Sequence, residues 1–443
     1  MNILLLSVIL VLILIISIIH NKAELTSPSF VFIAMFIIAL IVAFNYREIW
    51  WGKNGEIGSN TFLVILTGCT VFCIGTVCAG ENDSKTIKLT NLPFGLRPSS
   101  RIYRYKYYVF IVVQLITIVL TYRYIKAVSY GSTVSALLGN FRDETVSINV
   151  KMPGYLSFLN ALTFVGGLFF SNLLAARISK ENREPIVLQI ISLLLSIIAS
   201  LLGGSRGGLI TMLVSFVCYT LMHLSSVKNW KKNVSIKFLL PVFGGVFIVF
   251  YFFQKLHVML GQERVSSIDF YDYIAIYMGA QIKNLDLYLN SFYERSIVFG
   301  QESFRSFVQI ISRVFGSGHW SSYRLSIPFR YAGGMALGNV YTTFYAFIRD
   351  FGYIGVIILP FIMGFVSQKV YNKAKLSMKT DLSSSWLIIY GYIYYALAFS
   401  YFSNKFFEQI ICVSMIKYII CLALLKSFFY GISVNKRRSD SIQ

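Results

Sequence analysis

The chain has 443 residues, of which 56% are hydrophobic and 16% aromatic, and its formal net charge at pH 7 is +21. Its mean hydropathy is +0.66. A soluble core cannot absorb this much apolar surface in runs of about 20 residues, the length that crosses the hydrocarbon of a bilayer. The composition therefore excludes a soluble globular protein and predicts an all-α polytopic membrane protein.

The apolar runs predict about eleven transmembrane helices. Lysine and arginine concentrate in alternate loops between them, and such loops stay on the cytoplasmic side. We therefore expect the N-terminus outside and the C-terminus in the cytoplasm. The predicted helices lie near 2–20, 28–45, 60–80, 107–125, 155–176, 185–204, 207–225, 237–256, 353–371, 385–403 and 407–430.

A long interval, 257–352, falls on the outer side of this topology and is rich in arginine. The planar guanidinium binds phosphate or carboxylate oxygens in pairs, which indicates an anion site. The alternative is a solvated basic loop, because long outer loops escape the charge rule. The arginines before residue 337 are Arg264, Arg295, Arg305, Arg313, Arg324 and Arg330.

Two parts of this interval have a recognisable pattern. Apolar residues recur at helical spacing through Ile268–Ser291, which predicts an amphipathic helix lying at the outer surface. The stretch Ser312–Gly334 is rich in glycine and serine and predicts an irregular loop.

A tight glycine-rich turn, Gly203–Gly208, contains Arg206 between two apolar runs. Glycines can expose backbone N–H groups as an anion-binding nest, and the next helix begins beside it. Arg206 could equally extend to phospholipid headgroups from a plain helical hairpin. The sequence leaves both interpretations open.

Arg349 and Asp350 lie in an otherwise mostly apolar run, where ionisable residues are costly and usually functional. We predict a helix over 338–350 that is broken at Gly352 before the following span. The alternative is an ion pair between the two neighbours. His319 follows a Gly-Ser-Gly sequence and is either a general base or an ordinary loop residue.

The sequence contains no Walker A, HExxH, CxxC or EF-hand motif, which disfavours an ATP-driven transporter and a zinc protease. All six cysteines fall in apolar segments and are expected to be small buried hydrophobes. No acidic cluster has metal-ligand spacing. We therefore predict no metal and no cofactor.

Three segments together resemble the Wzy-type O-antigen or capsule repeat-unit polymerases: SRGG, YMGAQIKNLDLYL and GNVYTTFYAFIRDFGYIG. The resemblance covers nearly the whole chain and implies one membrane domain, 1–443, related to the GT-C glycosyltransferases, with the active site in 257–352. It implies a location in the bacterial cytoplasmic membrane. By motif matching, the resemblance implies functional roles for Arg206, Asn339, Tyr341, Thr342, Asp350 and Gly352.

The resemblance implies a metal-independent glycosyltransferase that polymerises repeat units carried on undecaprenyl pyrophosphate at the outer face. The expected partners are these lipid-linked oligosaccharides, membrane lipid, a chain-length regulator and a flippase of the same pathway, and no nucleic acid. Arg206, Asp350 and His319 are the catalytic candidates. The candidates for binding pyrophosphate or glycan are Arg295, Arg305, Arg313, Arg330, Arg349, Asn339, Tyr341 and Thr342.

Three other functions stay open on the sequence. An O-antigen ligase would use the same donor but transfer it to lipid A core. A transporter or flippase would usually place carboxylates or broken helices at mid-membrane, and Asp350 is the clear acidic candidate for that. A structural partner of an export assembly would not need the arginines.

Overall fold

The structure of the protein is a computed structural model. It describes residues 2–20, 24–53, 55–80, 102–146, 152–179, 185–203, 206–228, 230, 255, 268–291, 295–315, 327–379, 381 and 383–431.

Nearly all regular structure in these residues is helical. The helices are α1 Ile3–His20, α2 Pro28–Asn45, α3 Arg47–Trp51, α4 Ser59–Cys78, α5 Arg104–Val128, α6 Val134–Val146, α7 Gly154–Ile178, α8 Ile186–Leu202, α9 Gly207–Val227, α10 Phe270–Met278, α11 Ala280–Asn290, α12 Arg305–Phe315, α13 Thr343–Phe351, α14 Tyr353–Ser377, α15 Ser385–Ala398, α16 Lys405–Gln409 and α17 Val413–Tyr430. One antiparallel hairpin pairs β1 Arg330–Ala332 with β2 Met335–Gly338.

Eight of the described helices are long and apolar enough to cross a membrane: α1, α2, α4, α5, α7, α9, α14 and α17. Two shorter apolar helices, α8 and α15, also match predicted spans. The all-α polytopic class is therefore confirmed, while the count of eleven is not. The predicted span at 237–256 lies outside the described residues.

The tightest packing joins α4 to α14 through glycines. A Cβ added at Gly75 would lie 2.3 Å from the carbonyl oxygen of Phe361, and one at Gly364 would lie 2.2 Å from that of Phe72. Small residues at such positions let membrane helices approach closely. Because α14 begins directly after α13, this packing also fixes the position of α13.

One end of the bundle, here called the site end, contains the ends of α2, α8 and α15 and the starts of α4, α9 and α14. A bridge from Asn2 to Glu56 joins the starts of α1 and α4 there. At the opposite end, Lys375 pairs with Glu24, and Tyr371 donates to the same carboxylate at 2.6 Å. Residues 268–291 and 327–352 pack over the site end.

The prediction of one surface helix over 268–291 is wrong. The segment forms two helices, α10 and α11, which meet at Gly279, and α11 is almost wholly buried against α2 and α4. Gly279 lies so close to α2 that a Cβ there would be 2.9 Å from the backbone nitrogen of Ala43. The break places α11 over the ends of α2 and α4.

Burial of α11 depends on Asp286, which is 3% exposed. Its carboxylate accepts hydrogen bonds from Trp51 Nε1 at 2.6 Å, Gly58 N at 2.8 Å and Thr61 Oγ1 at 2.8 Å. Burying a charge is tolerated when it is hydrogen-bonded in this way. Asp286 is therefore satisfied inside the fold rather than at a solvent-exposed surface.

The predicted irregular loop at 312–334 is partly regular. Helix α12 extends to Phe315, and the hairpin begins at Arg330. The predicted helix before Gly352 is present as α13, which starts at Thr343 rather than at 338. Gly352 adopts φ +64°, a conformation that favours glycine, and ends α13 before α14 begins.

Candidate functional site

Arg206 lies within the glycine-rich turn and is the N-cap residue of α9. Its guanidinium donates to the hydroxyl of Tyr273 at 3.1 Å and to that of Tyr277 at 3.4 Å, both on α10. Burial raises the pKa of Tyr273 above its ordinary value, even though Arg206 lowers it. Tyr273 is therefore neutral, and the two hydroxyls help to hold Arg206 at the site end.

A second group is built on the face of α13. Tyr341 and Tyr345 stack with ring centroids 4.3 Å apart, and Arg330 Nε donates to the Tyr341 hydroxyl at 3.0 Å. Arg349, one turn after Tyr345, donates to the Tyr345 hydroxyl and lies 3.5 Å from the carboxylate of Glu302. Burial raises the pKa of Tyr345 to about 12. Arg330 and Arg349 thus both have partners within the protein.

Asp350 is directed at the loop before α12. Its carboxylate accepts from the Ser296 hydroxyl, from Glu302 N at 3.1 Å and from Ser303 N at 2.6 Å. It makes no ion pair with Arg349, its neighbour in sequence, so the structure does not support the alternative of an internal pair. The geometry suits a residue that positions residues 302–305, and a role as general base stays a prediction.

The turn 399–404 joins these groups. The Tyr401 hydroxyl donates to the carbonyl of Tyr277 at 3.5 Å, and the Phe402 ring lies parallel to that of Tyr277 with centroids 6.2 Å apart. On the other side, Asn404 Nδ2 donates to the carbonyl of Ser303 at 3.3 Å, while Thr343 N donates to that of Ser400 at 2.8 Å. One turn therefore contacts both the segment that holds Arg206 and the segment that begins at Ser303.

The remaining predicted site residues differ in burial and in the elements that they contact. Thr342 is 1% exposed, and its hydroxyl has no hydrogen-bond partner among the described residues. Asn339 is exposed at the end of the hairpin. Arg295 lies against Gly352. Its Nη2 is 3.3 Å from the position that a Cβ added at Gly352 would occupy. Arg305 opens α12, the helix that also carries Arg313; the Arg313 side chain and His319 lie outside the described residues.

Sequence reasoning missed Tyr273, Tyr277 and the polar trio Ser403, Asn404 and Lys405. The tyrosines lay within a recognised segment, but nothing in their spacing indicates that they contact Arg206. The trio was the clearer signal, because it interrupts two apolar runs with consecutive polar residues. Among the described residues, no cluster of three or more His, Cys, Asp and Glu could hold a metal ion.

The described residues define a multi-pass helical membrane protein with a cluster of arginine, tyrosine and hydroxyl side chains at one end of its bundle. The family of the O-antigen polysaccharide polymerase Wzy matches residues 1–431, and the chain belongs to this family. The resemblance seen in the sequence is thereby confirmed. No curated protein and no solved structure matches the chain.

Proposed function

We propose that the protein is a glycosyltransferase that joins oligosaccharide repeat units carried on undecaprenyl pyrophosphate. The reaction takes place at the outer face of the bacterial cytoplasmic membrane, at the site end of the bundle. The growing glycan is the donor, and a single lipid-linked unit is the acceptor. No metal ion takes part.

The observation that carries this proposal is the meeting of two basic segments at the turn 399–404. Arg206 donates to the hydroxyl of Tyr277, whose ring lies parallel to that of Phe402 in this turn. Arg305 follows Ser303, whose carbonyl accepts a hydrogen bond from Asn404 in this turn. A pyrophosphate carries several negative oxygens, and arginines bind such oxygens through charged hydrogen bonds. The meeting point offers donors from separate elements to one anionic group.

The chemical step needs charge stabilisation more than strong acid or base catalysis. An acceptor hydroxyl attacks the anomeric carbon of the donor, and the bond from that carbon to the pyrophosphate oxygen breaks. The lipid pyrophosphate leaves with the electron pair, and the hydroxyl loses its proton to water or to a nearby base. Fixed donors directed at the departing oxygens lower the barrier, because they are already oriented when the charge develops.

The test is the glycan profile of a strain that lacks the gene, compared with one that expresses the protein again. Single repeat units capped on lipid A in the deletion strain support a polymerase. A profile with no transferred unit would indicate a ligase, and lipid-linked units trapped inside the cell would indicate a flippase. Either of these last two profiles would contradict the proposal.

A further inference from the structure

The first turns of α12 and α16 meet at the site end. Asn404 Nδ2 donates to the Ser303 carbonyl at 3.3 Å, and the Phe304 ring packs edge-on against that of Phe407 with centroids 5.4 Å apart. This contact places Arg305, the first residue of α12, near Lys405, the first residue of α16. Their charges are close enough for Arg305 to lower the pKa of Lys405.

Several polar atoms around this contact are shielded from solvent and have no hydrogen-bond partner among the described residues. Folded proteins rarely leave buried polar atoms unpaired, and an unpaired one costs free energy. Four such atoms, on residues 303–306 and on Ser403 beside Asn404, indicate a partner other than the described residues. They are Arg305 Nε, Ser303 Oγ, Ser306 Oγ and Ser403 Oγ.

The charges are also unbalanced. Burial, the largest single effect, lowers the pKa of Lys405, and Arg305 lowers it further. Glu408, which lies 3.0 Å away, and Tyr395 together raise that pKa by more, so the lysine is cationic. Glu302 is paired with Arg349, and Asp350 accepts from backbone N–H groups. Within the described residues, Arg305 therefore has no carboxylate partner of its own.

We propose that Arg305 and Lys405, together with the hydroxyls of Ser306 and Ser403, bind a phosphate group of a lipid-linked substrate. This inference rests on the proposed function and adds Lys405 and the two serines to its site.

The donor set explains the choice of ligand. A guanidinium, an ammonium and rotatable hydroxyls all donate hydrogen bonds, and the oxygens of a phosphate only accept them. A metal cation would be repelled by the same charges. A neutral sugar would leave the excess positive charge of Arg305 uncompensated.

The test measures binding of inorganic pyrophosphate to the purified full chain in nanodiscs of zwitterionic lipid, by thermal shift over a concentration series. Lys405→Gln and Arg305→Gln should each weaken binding about 10- to 100-fold, the usual effect of losing one charged hydrogen bond. Lys379→Gln, an exposed lysine at the opposite end of the bundle, is the matched control and should bind as the wild type does.

Glu408→Gln separates an anion site from a structural ion pair, because the two predict opposite results. If Lys405 binds phosphate, removing its competing carboxylate should tighten pyrophosphate binding several-fold. If the pair is structural, Lys405→Gln and Glu408→Gln should both lower the melting temperature and leave binding unchanged. That second outcome would overturn the proposal.

A phospholipid headgroup offers the same chemistry, so the measurement is repeated in phosphatidylglycerol nanodiscs. Stabilisation by phosphatidylglycerol alone, lost in Lys405→Gln, with no response to pyrophosphate, would overturn the assignment to substrate. Polymer formation separates this inference from the proposed function. Normal polymer from Lys405→Gln, together with loss in Arg305→Gln and Arg206→Ala, would overturn this inference and leave the proposed function standing.

Discussion

Arg206 is oriented by hydrogen bonds to the hydroxyls of two tyrosines on α10. Arg349 has a different setting, because Glu302 and Tyr345 already engage its guanidinium. Residue type alone therefore predicted a basic site, but only the tertiary partners distinguish these two arginines.

For Arg206, we predict that Arg206→Lys is impaired and Arg206→Ala more so. Lysine keeps the charge but cannot donate in pairs from a planar fork. Loss of one charge-stabilising donor typically lowers the rate about 10²–10³-fold. The measurement is elongation of lipid-linked repeat units by purified protein, at matched expression.

Arg123→Ala is the control for Arg206, because Arg123 is an exposed arginine near the C-terminal end of α5. It should make polymer of normal length. Full-length polymer from well-expressed Arg206→Ala would show that this arginine is a headgroup anchor rather than part of an anion site.

Asp350 gives a second prediction at this scale. Asp350→Ala should lower the free energy of unfolding by about 1–3 kcal/mol for each backbone donor it leaves unpaired, as measured by thermal unfolding in detergent. Asp350→Asn keeps an acceptor and should retain partial activity with an unchanged pH–rate profile. A folded, wholly inactive Asp350→Asn, or one whose profile loses a limb, would favour the general-base role instead.

At the scale of elements, hydropathy located ten of the helices well, because about 20 apolar residues have few alternatives to crossing a bilayer. Sequence reasoning failed at 268–291, where it predicted one surface helix and the structure has two helices, of which α11 is buried. A glycine inside a helical pattern is usually tolerated, and only the approach of Gly279 to the α2 backbone reveals the break. The candidate site was predicted from the sequence as a region and as a set of arginines, and their role stays a prediction. The contacts with Tyr277, Asn404 and Lys405 were not predicted, because they join segments far apart in sequence.

The packing of α4 against α14 yields an element-scale prediction. Gly364→Ala should destabilise the protein by about 1–3 kcal/mol, the usual cost of overpacking, because its new methyl group would meet the Phe72 carbonyl. Activity should fall as well, since α14 leads directly from α13. Thermal unfolding and polymer length measure both effects.

Gly154→Ala is the matched control for this substitution, because nothing lies within 4 Å of a Cβ at Gly154. Its stability and polymer length should equal those of the wild type. Equal behaviour of the Gly364 and Gly154 variants would mean that α4 and α14 are packed more loosely than the structure indicates.

For the whole molecule, the orientation can be tested with single cysteines in a cysteine-free background. Asn339→Cys is exposed at the site end and should react with a membrane-impermeant thiol reagent in intact cells with a permeabilised outer membrane. Lys379→Cys, exposed at the opposite end, should react only after lysis of the inner membrane. The reverse pattern would invert the topology and place the reaction on the wrong face.

We further expect elongation to proceed in excess EDTA, because the proposed step relies on arginines to stabilise the leaving pyrophosphate. Purified protein supplied with lipid-linked repeat units measures this directly. A complete loss that added divalent metal restores would require a metal site and a different mechanism.

Asp286 also has a consequence for the order in which the chain assembles during synthesis. Its partners Trp51, Gly58 and Thr61 are made more than 200 residues earlier, and the turn 399–404, which contacts Tyr277, is made later still. Chains grow at only about 5–20 residues per second, so α2 and α4 wait many seconds in the membrane for these contacts. During that interval their ends are open to water, lipid and chaperones. The site end is thus among the last parts of the protein to be completed.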